Sequence, residues 1–531
     1  MSVDQNPSQK PPFDHERYKW RKDESHAGRY KRQPAGGELI QDVWNFLKHG
    51  DQNLFIGVYA TLSTPLASQE LLRELRRAWV ALRWEVPTVA AQVAHDPKEG
   101  GLPTTWMTYD VAQSAKDVEK WAEETIILRE DVTDLDTLRY EIGQGIIPTG
   151  DLVPQTFLYL APSSPTTFGV LLHTSHVPFD GAGIKVLMTK LFEHLALYIS
   201  DPHHAEVQAT TMRWGEEHAN LLPVAGEILR KHEPAKLDEQ GNVVVQELPA
   251  EPREGPAYEE TLTTVMTGLA TGGPKMHPFK SLIHPPFDPM SQKPKTRRAA
   301  HTFTVEESNK IVAATRLGPG EKFTVNHLLH GAVCLLPILD NPPPADSQAA
   351  VFFYGLVDSR QRLDASYRSP EGYAAYCLGM SPIVIPVSVA SPPTSSTSTK
   401  DKILALTRAV REEYKAQAAL PALLAIEAEQ VDMMLTAPPP PPWCGPWYSA
   451  DGRGSVYLRE SYPKNHSGKS TIEITDFFVG LNKLDPGPFF RATEWKGRIR
   501  LSADYNELAV EPQVVDGWMK KWAELVLSVT E

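Results

Sequence analysis

The chain has 531 residues, of which 41% are hydrophobic and 9% aromatic, so it can bury one or two large cores and is neither disordered nor fibrous. Its 53 Lys and Arg face 66 Asp and Glu, and the resulting net charge of −13 argues against a nucleic-acid-binding surface, which needs basic residues. Its 3 cysteines are too few and too scattered for a disulfide framework or a cysteine-based zinc site, and they predict a reducing compartment, the cytoplasm.

The first predicted segment is an N-terminal extension over residues 1–36. It mixes basic and acidic residues without an apolar run, so we expect neither a secretory signal nor a membrane anchor there. The longest uncharged helical stretch, residues 323–339, contains Asn326, His327, His330 and Pro337, which argues against a bilayer span.

Residues 37–205 are predicted to form an N-terminal lobe. Apolar residues recur at helical spacing over 69–83, which predicts a helix with one buried face. Two apolar runs, 156–161 and 168–173, are joined by a Pro-Ser-Ser-Pro segment and predict a β-hairpin. A turn follows at 177–181, and a second amphipathic helix is predicted over 184–199.

Residues 206–295 are predicted to be a crossover and linker, because prolines and glycines over 248–294 interrupt any long helical or strand pattern. Residues 296–531 are predicted to form a C-terminal lobe. Its predicted strands are 300–305, 349–357, 383–389, 455–458, 471–478 and 497–505, and its predicted helices are 306–315, 325–336, 402–418 and 512–529. Five prolines at 438–442 predict a surface loop that could also bind a partner. The chain is therefore expected to be a mixed α/β protein with two lobes.

The strongest candidate for chemistry is the segment that follows the second hairpin strand. His176, Asp180 and Gly181 lie there, between an apolar strand and an amphipathic helix, where functional side chains are often presented. A histidine at a strand end can also be purely structural, and a metal site made by His173, His176 and Asp180 is another alternative. His173 and His176 would face opposite sides of a continuing strand, which disfavours the metal site.

This segment resembles the HxxxDG signature of the chloramphenicol acetyltransferase-like superfamily, which includes BAHD acyltransferases, peptide-synthetase condensation domains and fungal trichothecene acetyltransferases. Asp476-Phe-Phe-Val-Gly480 is similar to the BAHD DFGWG motif, with two positions changed. The helix that contains Arg83 and the Asp-Ser-Arg segment at Arg360 also resemble elements of this superfamily. In length and in its N-terminal half, the chain is most similar to the trichothecene 15-O-acetyltransferases.

The resemblance implies a pseudo-dimer of two lobes, each a mixed sheet flanked by helices, with the active site in a tunnel between them. It further implies that acetyl-CoA is the cosubstrate, that a small hydroxylated secondary metabolite is the acceptor, and that His176 is the general base. We expect no permanently bound cofactor and no metal, and a monomer that binds neither nucleic acid nor membrane.

The supporting residues follow from the same resemblance. Asp180 is expected to be structural and paired with an arginine, Arg83 in preference to Arg360. Asp476 and Gly480 are expected to form a turn at the tunnel rim, with Asp476 capping backbone amides. Ser449 and Ser455 are candidate oxyanion donors, although serines at such positions are more often turn residues.

Two alternatives remain open at this point. A condensation-type enzyme would take its acyl group from a carrier protein, but those enzymes usually have a histidine where this chain has Ser175. A binding protein that keeps the fold without catalysis is the other alternative, and the presence of both His176 and Asp180 argues against it.

Overall fold

A computed structural model describes most of the chain, namely residues 13–48, 50–99, 101–150, 152–238, 240, 243–283, 293–316, 322–390, 398–438, 441–464 and 470–530. Part of the predicted extension, part of the predicted linker and two prolines of the run at 438–442 lie outside these residues. In the described part, no helix is long and apolar enough to cross a membrane.

The helices of the described residues alternate with strands along the chain. They are α1 Gly37–Leu47, α2 Ser68–Glu85, α3 Ala115–Thr125, α4 Leu135–Ile142, α5 Gly181–Ser200, α6 Pro202–Thr211, α7 Pro256–Gly272, α8 Val305–Ala314, α9 Val325–Asp340, α10 Thr399–Ala419, α11 Glu427–Leu435 and α12 Pro512–Leu527. The helices predicted from apolar periodicity are confirmed as α2, α5, α8, α9, α10 and α12.

The strands are distributed over both halves of the chain. They are β1 Arg21–Lys22, β2 Arg29–Arg32, β3 Leu54–Leu62, β4 Gln92–Asp96, β5 Thr104–Asp110, β6 Ile126–Leu128, β7 Thr156–Ser164, β8 Thr167–Thr174, β9 Lys236–Leu237, β10 Val243–Val245, β11 Thr296–Thr302, β12 Ala350–Phe353, β13 Leu356–Asp358, β14 Leu378–Met380, β15 Ile383–Pro386, β16 Trp447–Arg453, β17 Ser461–Lys464, β18 Ser470–Leu481, β19 Phe489–Trp495 and β20 Arg498–Asn506.

The first large sheet has six strands in the order β17-β18-β3-β8-β7-β6. The predicted hairpin is confirmed in it, because β7 and β8 pair antiparallel. Apolar residues of this sheet pack against α2 and α5 in one core, which includes Trp79, Leu172 and Leu187. The carboxyl end of β8 and the start of α5 are therefore fixed by a well-packed sheet-helix layer, and the candidate segment lies between them.

A second sheet has the order β11-β20-β19-β16 and belongs to a separate core. In this core α9 and α12 contribute Leu329, Val333 and Trp522, which pack with strand residues such as Phe490. Two mixed sheets, each with its own helices and apolar core, confirm the predicted α/β class.

Three features of the structure bear on the predicted segments, whose boundaries stay a prediction. Within residues 21–32, β1 pairs with β2 and β2 pairs with β5, so this part of the predicted extension belongs to a four-stranded sheet of the N-terminal half. The predicted linker contains the 17-residue helix α7. Pro256 does not interrupt this helix, because it lies in the first turn, where a backbone N–H has no partner within the helix. Strands β17 and β18, which fall in the predicted C-terminal lobe, belong to the first sheet, where β18 pairs with β3.

Two local predictions in the second half were wrong. Residues 454–456 form a 3₁₀ turn where a strand was predicted at 455–458, and the strand β16 precedes them. The predicted turn between Asp476 and Gly480 is absent, because β18 continues through both residues to Leu481. The apolar run Phe477, Phe478 and Val479 pairs with β3, and this pairing keeps the segment extended.

Candidate active site

His176 lies two residues after β8 and five residues before α5 begins. Its side chain is buried, and Nδ1 is enclosed by the protein. The other ring nitrogen, Nε2, is not enclosed in this way. It is therefore the nitrogen that is open to the cavity that His176 lines. Burial lowers the pKa of His176 to about 4, so the imidazole is neutral at neutral pH and can accept a proton.

Asp180 is fully buried and is the N-cap of α5. Its carboxylate accepts hydrogen bonds from the backbone N–H of Gly183 at 2.7 Å and of Cys377 at 2.8 Å. Burial opposes ionisation of this carboxyl, but the charge of Arg360 and the hydrogen bonds that the carboxylate accepts together outweigh burial, and the pKa of Asp180 is lowered. Asp180 therefore connects the start of α5 to a segment of the second half of the chain.

Arg360 is the arginine that pairs with Asp180, at 2.8 Å from Nη2 and 3.0 Å from Nη1. It also donates to the backbone carbonyls of Tyr373 and Ala375. The preference for Arg83 was therefore wrong: Arg83 lies over the ring of Trp121 at 4.8 Å, on the side of α2 that faces α3. Both arginines were identified in the sequence, but their order of preference was inverted.

The loop between His176 and α5 is fixed by the segment around residue 376. The backbone N–H of Tyr376 donates to the carbonyl of Pro178 at 3.0 Å, and the Tyr376 ring lies 5.7 Å from the imidazole of His176. Gly183 permits this contact, because a Cβ there would meet the carbonyl oxygen of Ala374 at 2.0 Å. Gly181 is less constrained, since the nearest atom to its Cβ position is 4.0 Å away.

A cavity of about 350 Å³ lies beside His176 and is lined by residues from both halves of the chain. Its size falls within the range of small-molecule sites, and nine of the residues that line it are aromatic. These aromatic residues are Trp44, Phe353, Tyr354, Tyr376, Tyr414, Trp447, Tyr448, Tyr457 and Phe489. The cavity can therefore enclose an apolar ligand next to a neutral imidazole.

One wall of this cavity carries a charged cluster that the sequence did not reveal. Asp451 lies 3.2 Å from Nζ of Lys185 and 3.3 Å from Nη1 of Arg491, and Thr493 Oγ1 donates to it at 2.7 Å. Burial opposes ionisation of Asp451, but the charges of Lys185 and Arg491 and the hydrogen bond from Thr493 together outweigh burial, so the pKa of Asp451 is lowered. Lys185 lies in α5, Asp451 in β16 and Arg491 in β19, so no sequence spacing connects the three residues.

The two serines predicted as oxyanion donors differ in position. Ser449 lies in β16 and lines the cavity. Ser455 lies in the 3₁₀ turn after β16 and is exposed, and it is not among the residues that line the cavity. The geometry therefore leaves Ser449 as the serine that a ligand in this cavity could reach.

Asp476 and Gly480 do not line this cavity. Asp476 forms a two-bond pair with Arg500, 2.8 Å for each bond, beside a smaller pocket. Its one backbone amide bond is to the adjacent Phe477, and the side chain is 41% exposed. Gly480 is buried within β18, where a Cβ would lie 3.0 Å from Arg139. The predicted role of both residues at the tunnel rim finds no support in this placement.

His173, the other histidine of the metal alternative, lies within β8 and stacks on Phe55 with ring centroids 4.2 Å apart. Burial lowers the pKa of His173 to about 3. Among the residues that the structure describes, no group of three or more His, Cys, Asp or Glu is placed to hold a metal ion.

Comparison with solved structures shows the fold class of the protein. The chain superposes on the solved trichothecene 15-O-acetyltransferase TRI3 from Fusarium sporotrichioides with a TM-score of 0.78 and 20% identity, covering 98% of this chain and 99% of that one. The polyketide synthase associated protein 5 of Mycobacterium tuberculosis gives a TM-score of 0.53 at 12% identity over 94% of this chain and 98% of that one. These matches confirm a chloramphenicol acetyltransferase-like fold.

Sequence similarity then singles out particular relatives. The chain is 23% identical to trichothecene 15-O-acetyltransferase TRI3 of Fusarium sporotrichioides over 98% of each chain. It is also 23% identical to trichothecene O-acetyltransferase TRI3 of Trichoderma arundinaceum, over 97% of this chain and 98% of that one. No family model matches the chain. These homologues confirm the predicted resemblance and support an enzyme of the acyltransferase class.

Proposed function

We propose that this protein is an acetyl-CoA-dependent O-acetyltransferase in which His176 acts as general base on the hydroxyl of a hydroxylated secondary metabolite. The observation that carries the proposal is a neutral, buried imidazole with one ring nitrogen open to a cavity that both halves of the chain enclose. The near full-length similarity to acetyltransferases supports the same reaction class.

The chemistry of an alcohol explains why the base must act during attack. An alcohol with a pKa near the 15.7 of water is not ionised beforehand by an imidazole, because the difference in pKa would cost roughly 12 kcal/mol or more. His176 takes the proton as the alcohol oxygen attacks the thioester carbon, so both substrates must be bound together. The enclosed cavity also limits the access of water, which would otherwise hydrolyse the thioester.

The aromatic wall of the cavity favours an apolar acceptor. Trp44, Tyr354 and Trp447 form a connected aromatic group, with centroid distances of 4.9 Å between Tyr354 and Trp447 and 5.6 Å between Trp44 and Trp447. Such a surface suits a compact terpenoid skeleton with a single hydroxyl near the base. Since two relatives are named as trichothecene acetyltransferases, a trichothecene 15-hydroxyl is the acceptor that we propose to test first.

We further propose that a single chain is the catalytic unit, because residues of one chain supply both the base and the cavity wall. Arg360 supports this arrangement by bonding Asp180 across 180 residues of sequence.

The test is an assay of the purified chain with acetyl-CoA and a trichothecene that has a free 15-hydroxyl. We expect thiol release together with a product that has gained one acetyl group, as measured by mass spectrometry. The matched control is the same trichothecene with its 15-hydroxyl already acetylated, which offers no attacking oxygen. Equal thiol release with both compounds would contradict acetylation at that hydroxyl, and no thiol release from acetyl-CoA with any hydroxylated terpenoid would contradict the reaction class.

A further inference from the structure

The cavity contains two buried cations that share one carboxylate. Lys185 and Arg491 both contact Asp451, at 3.2 and 3.3 Å, and all three side chains are less than one-tenth exposed. We call these three residues the basic cluster. Its formal charge is +1. A buried charge without a counter-charge lowers the stability of the folded protein, so an excess buried cation is typical of a site that binds an anion.

Arg491 is the member of the basic cluster with unused hydrogen-bonding capacity. Its Nε is enclosed, so a ligand does not reach it, whereas Nη2 is not enclosed and makes no hydrogen bond to a described residue beside the cavity that Arg491 lines. A guanidinium has five N–H donors, and the contact of Nη1 with Asp451 is longer than the 2.7 to 2.9 Å expected for a strong charged hydrogen bond. The cluster is therefore able to accept further negative charge.

The basic cluster lies on the same cavity as His176 and close to the start of α5. Gly181 is the first residue of that helix, and a Cβ added to it would lie 4.0 Å from Nη1 of Arg491. The first turn of a helix also favours negative charge, because its N–H groups point outward. Arg491 contributes to lowering the pKa of His176, after burial, as expected of a cation near the base.

We propose that Arg491, oriented by Asp451 and supported by the charge of Lys185, binds the oxyanion that forms on the thioester carbonyl oxygen during acyl transfer. This inference rests on the proposed function, and it assigns the donor for which only Ser449 and Ser455 were candidates. Ser449 pairs with Arg491 in register between β16 and β19, so the serine and the guanidinium are neighbours on the same wall.

In this step the acceptor oxygen bonds to the thioester carbon while its proton moves to Nε2 of His176. The π electrons of the carbonyl move to its oxygen, and the resulting negative charge is met by the N–H groups of Arg491. When the carbonyl re-forms, the carbon–sulfur bond breaks and the coenzyme A sulfur leaves with the electron pair. The proton held by His176 then goes to that sulfur, so ester and thiol are the products and no further reactant is needed.

The test compares Arg491→Gln and Arg491→Lys with the wild type in the acetyl-CoA and trichothecene assay. We expect Arg491→Gln to lower kcat by about 10²- to 10³-fold, the loss typical of an oxyanion donor, with KM for acetyl-CoA nearly unchanged. Arg491→Lys should keep part of the activity, because it retains the charge but not the planar donors.

Two control variants separate this role from general effects. Arg29→Gln removes an arginine that is also 5% exposed and also paired with a carboxylate, Asp110, but lies outside the cavity. It should lower the melting temperature without changing kcat. Ser449→Ala tests the neighbouring donor and should affect kcat much less than Arg491→Gln does.

Several outcomes would overturn the assignment. If Arg491→Gln raises KM for acetyl-CoA while kcat is kept, the arginine binds a ground-state anion such as a coenzyme A phosphate. If Ser449→Ala loses the activity and Arg491→Gln keeps it, the serine is the donor. Failure of the proposed function looks different, because the wild type would then release no thiol or His176→Ala would be fully active.

A measurement that needs no turnover addresses the same assignment. The pKa of His176, followed by NMR of protein with isotope-labelled histidine, should rise in Arg491→Gln, because the repelling cation is gone. An unchanged pKa in a folded Arg491→Gln protein would show that Arg491 is too far from the base to meet the reacting carbonyl.

Discussion

Asp180 and Asp476 each belong to a short motif that resembles a superfamily signature, yet their surroundings in the structure differ. Asp180 is fully buried, and two backbone amides and Arg360 all bond to its carboxylate. Asp476 is 41% exposed in the middle of a strand, and Arg500 is the partner of its side chain. The comparison teaches that the surroundings of a motif decide its role, because of these two aspartates only Asp180 connects the two halves of the chain next to the residues that line the His176 cavity.

The most direct way to break this comparison is to remove the base that Asp180 supports. His176→Ala should lower kcat by about 10²- to 10⁴-fold, because no other group would take the acceptor proton. Steady-state kinetics with acetyl-CoA and the trichothecene acceptor measure the effect, and circular dichroism checks that the variant is folded. Turnover equal to that of the wild type would show that His176 is not the base.

The second test removes the buried carboxylate itself. Asp180→Ala leaves Arg360 buried without its main counter-charge and should lower the free energy of unfolding by about 3 to 5 kcal/mol, with loss of activity. Denaturant titration measures the change. An Arg83→Gln variant is the matched control, and it should lose less stability than Arg360→Gln, because Arg83 has no contact with Asp180. Equal losses in the two arginine variants would contradict the pairing.

Acid should destabilise the protein through three buried histidines, two of which lie in β8 or just after it. Burial lowers the pKa of His173 to about 3, of His176 to about 4 and of His330 to about 3, from 6.5 in the unfolded chain. Between pH 6.5 and these values the unfolded state binds more protons than the folded state does. The free energy of unfolding is therefore unaffected by these three histidines above pH 6.5 and falls as the pH drops below it. Melting temperatures between pH 7 and 4 measure this loss, and His330→Phe should reduce the slope. A flat profile would show that the three rings are not buried as neutral groups.

The smallest effect is expected at the second motif. Asp476→Ala breaks a half-exposed ion pair with Arg500 and should cost no more than about 1 kcal/mol, with kcat close to that of the wild type. The same kinetic and denaturant measurements apply, and added salt should reduce the difference. A loss of activity as large as that of His176→Ala would mean that Asp476 does act at the site.

Much of the fold could be predicted because its signals are local. The apolar spacing in α2 and α5 and the two runs of the β7–β8 hairpin were each readable from about twenty residues or fewer. The number of prolines in residues 248–294 predicted a linker without a long helix, but Pro256 lies at the start of α7, where a proline does not interrupt a helix. The apolar run from Phe477 to Val479 favoured a continuing strand, and the likeness to a loop motif obscured that signal.

The site was only partly predictable for a different reason. His176 and Asp180 lie in one short segment, whereas the partner of Asp180 is 180 residues away and could have been either of two arginines. The basic cluster joins a helix and two strands that are distant in sequence, so no pattern marks Lys185, Asp451 and Arg491 as neighbours. Such pairings depend on tertiary packing, which a sequence pattern does not encode locally.

The pairing of β18 with β3 has a consequence for how the protein is made. Thr475 bonds to Tyr59 across 416 residues, so the first sheet cannot be completed until nearly the whole chain has left the ribosome. At about 5 to 20 residues per second, β3 waits roughly 20 to 80 seconds for this partner with one edge unpaired. An exposed strand edge is open to wrong pairing, so during synthesis the N-terminal half is the part of this protein most in need of a chaperone.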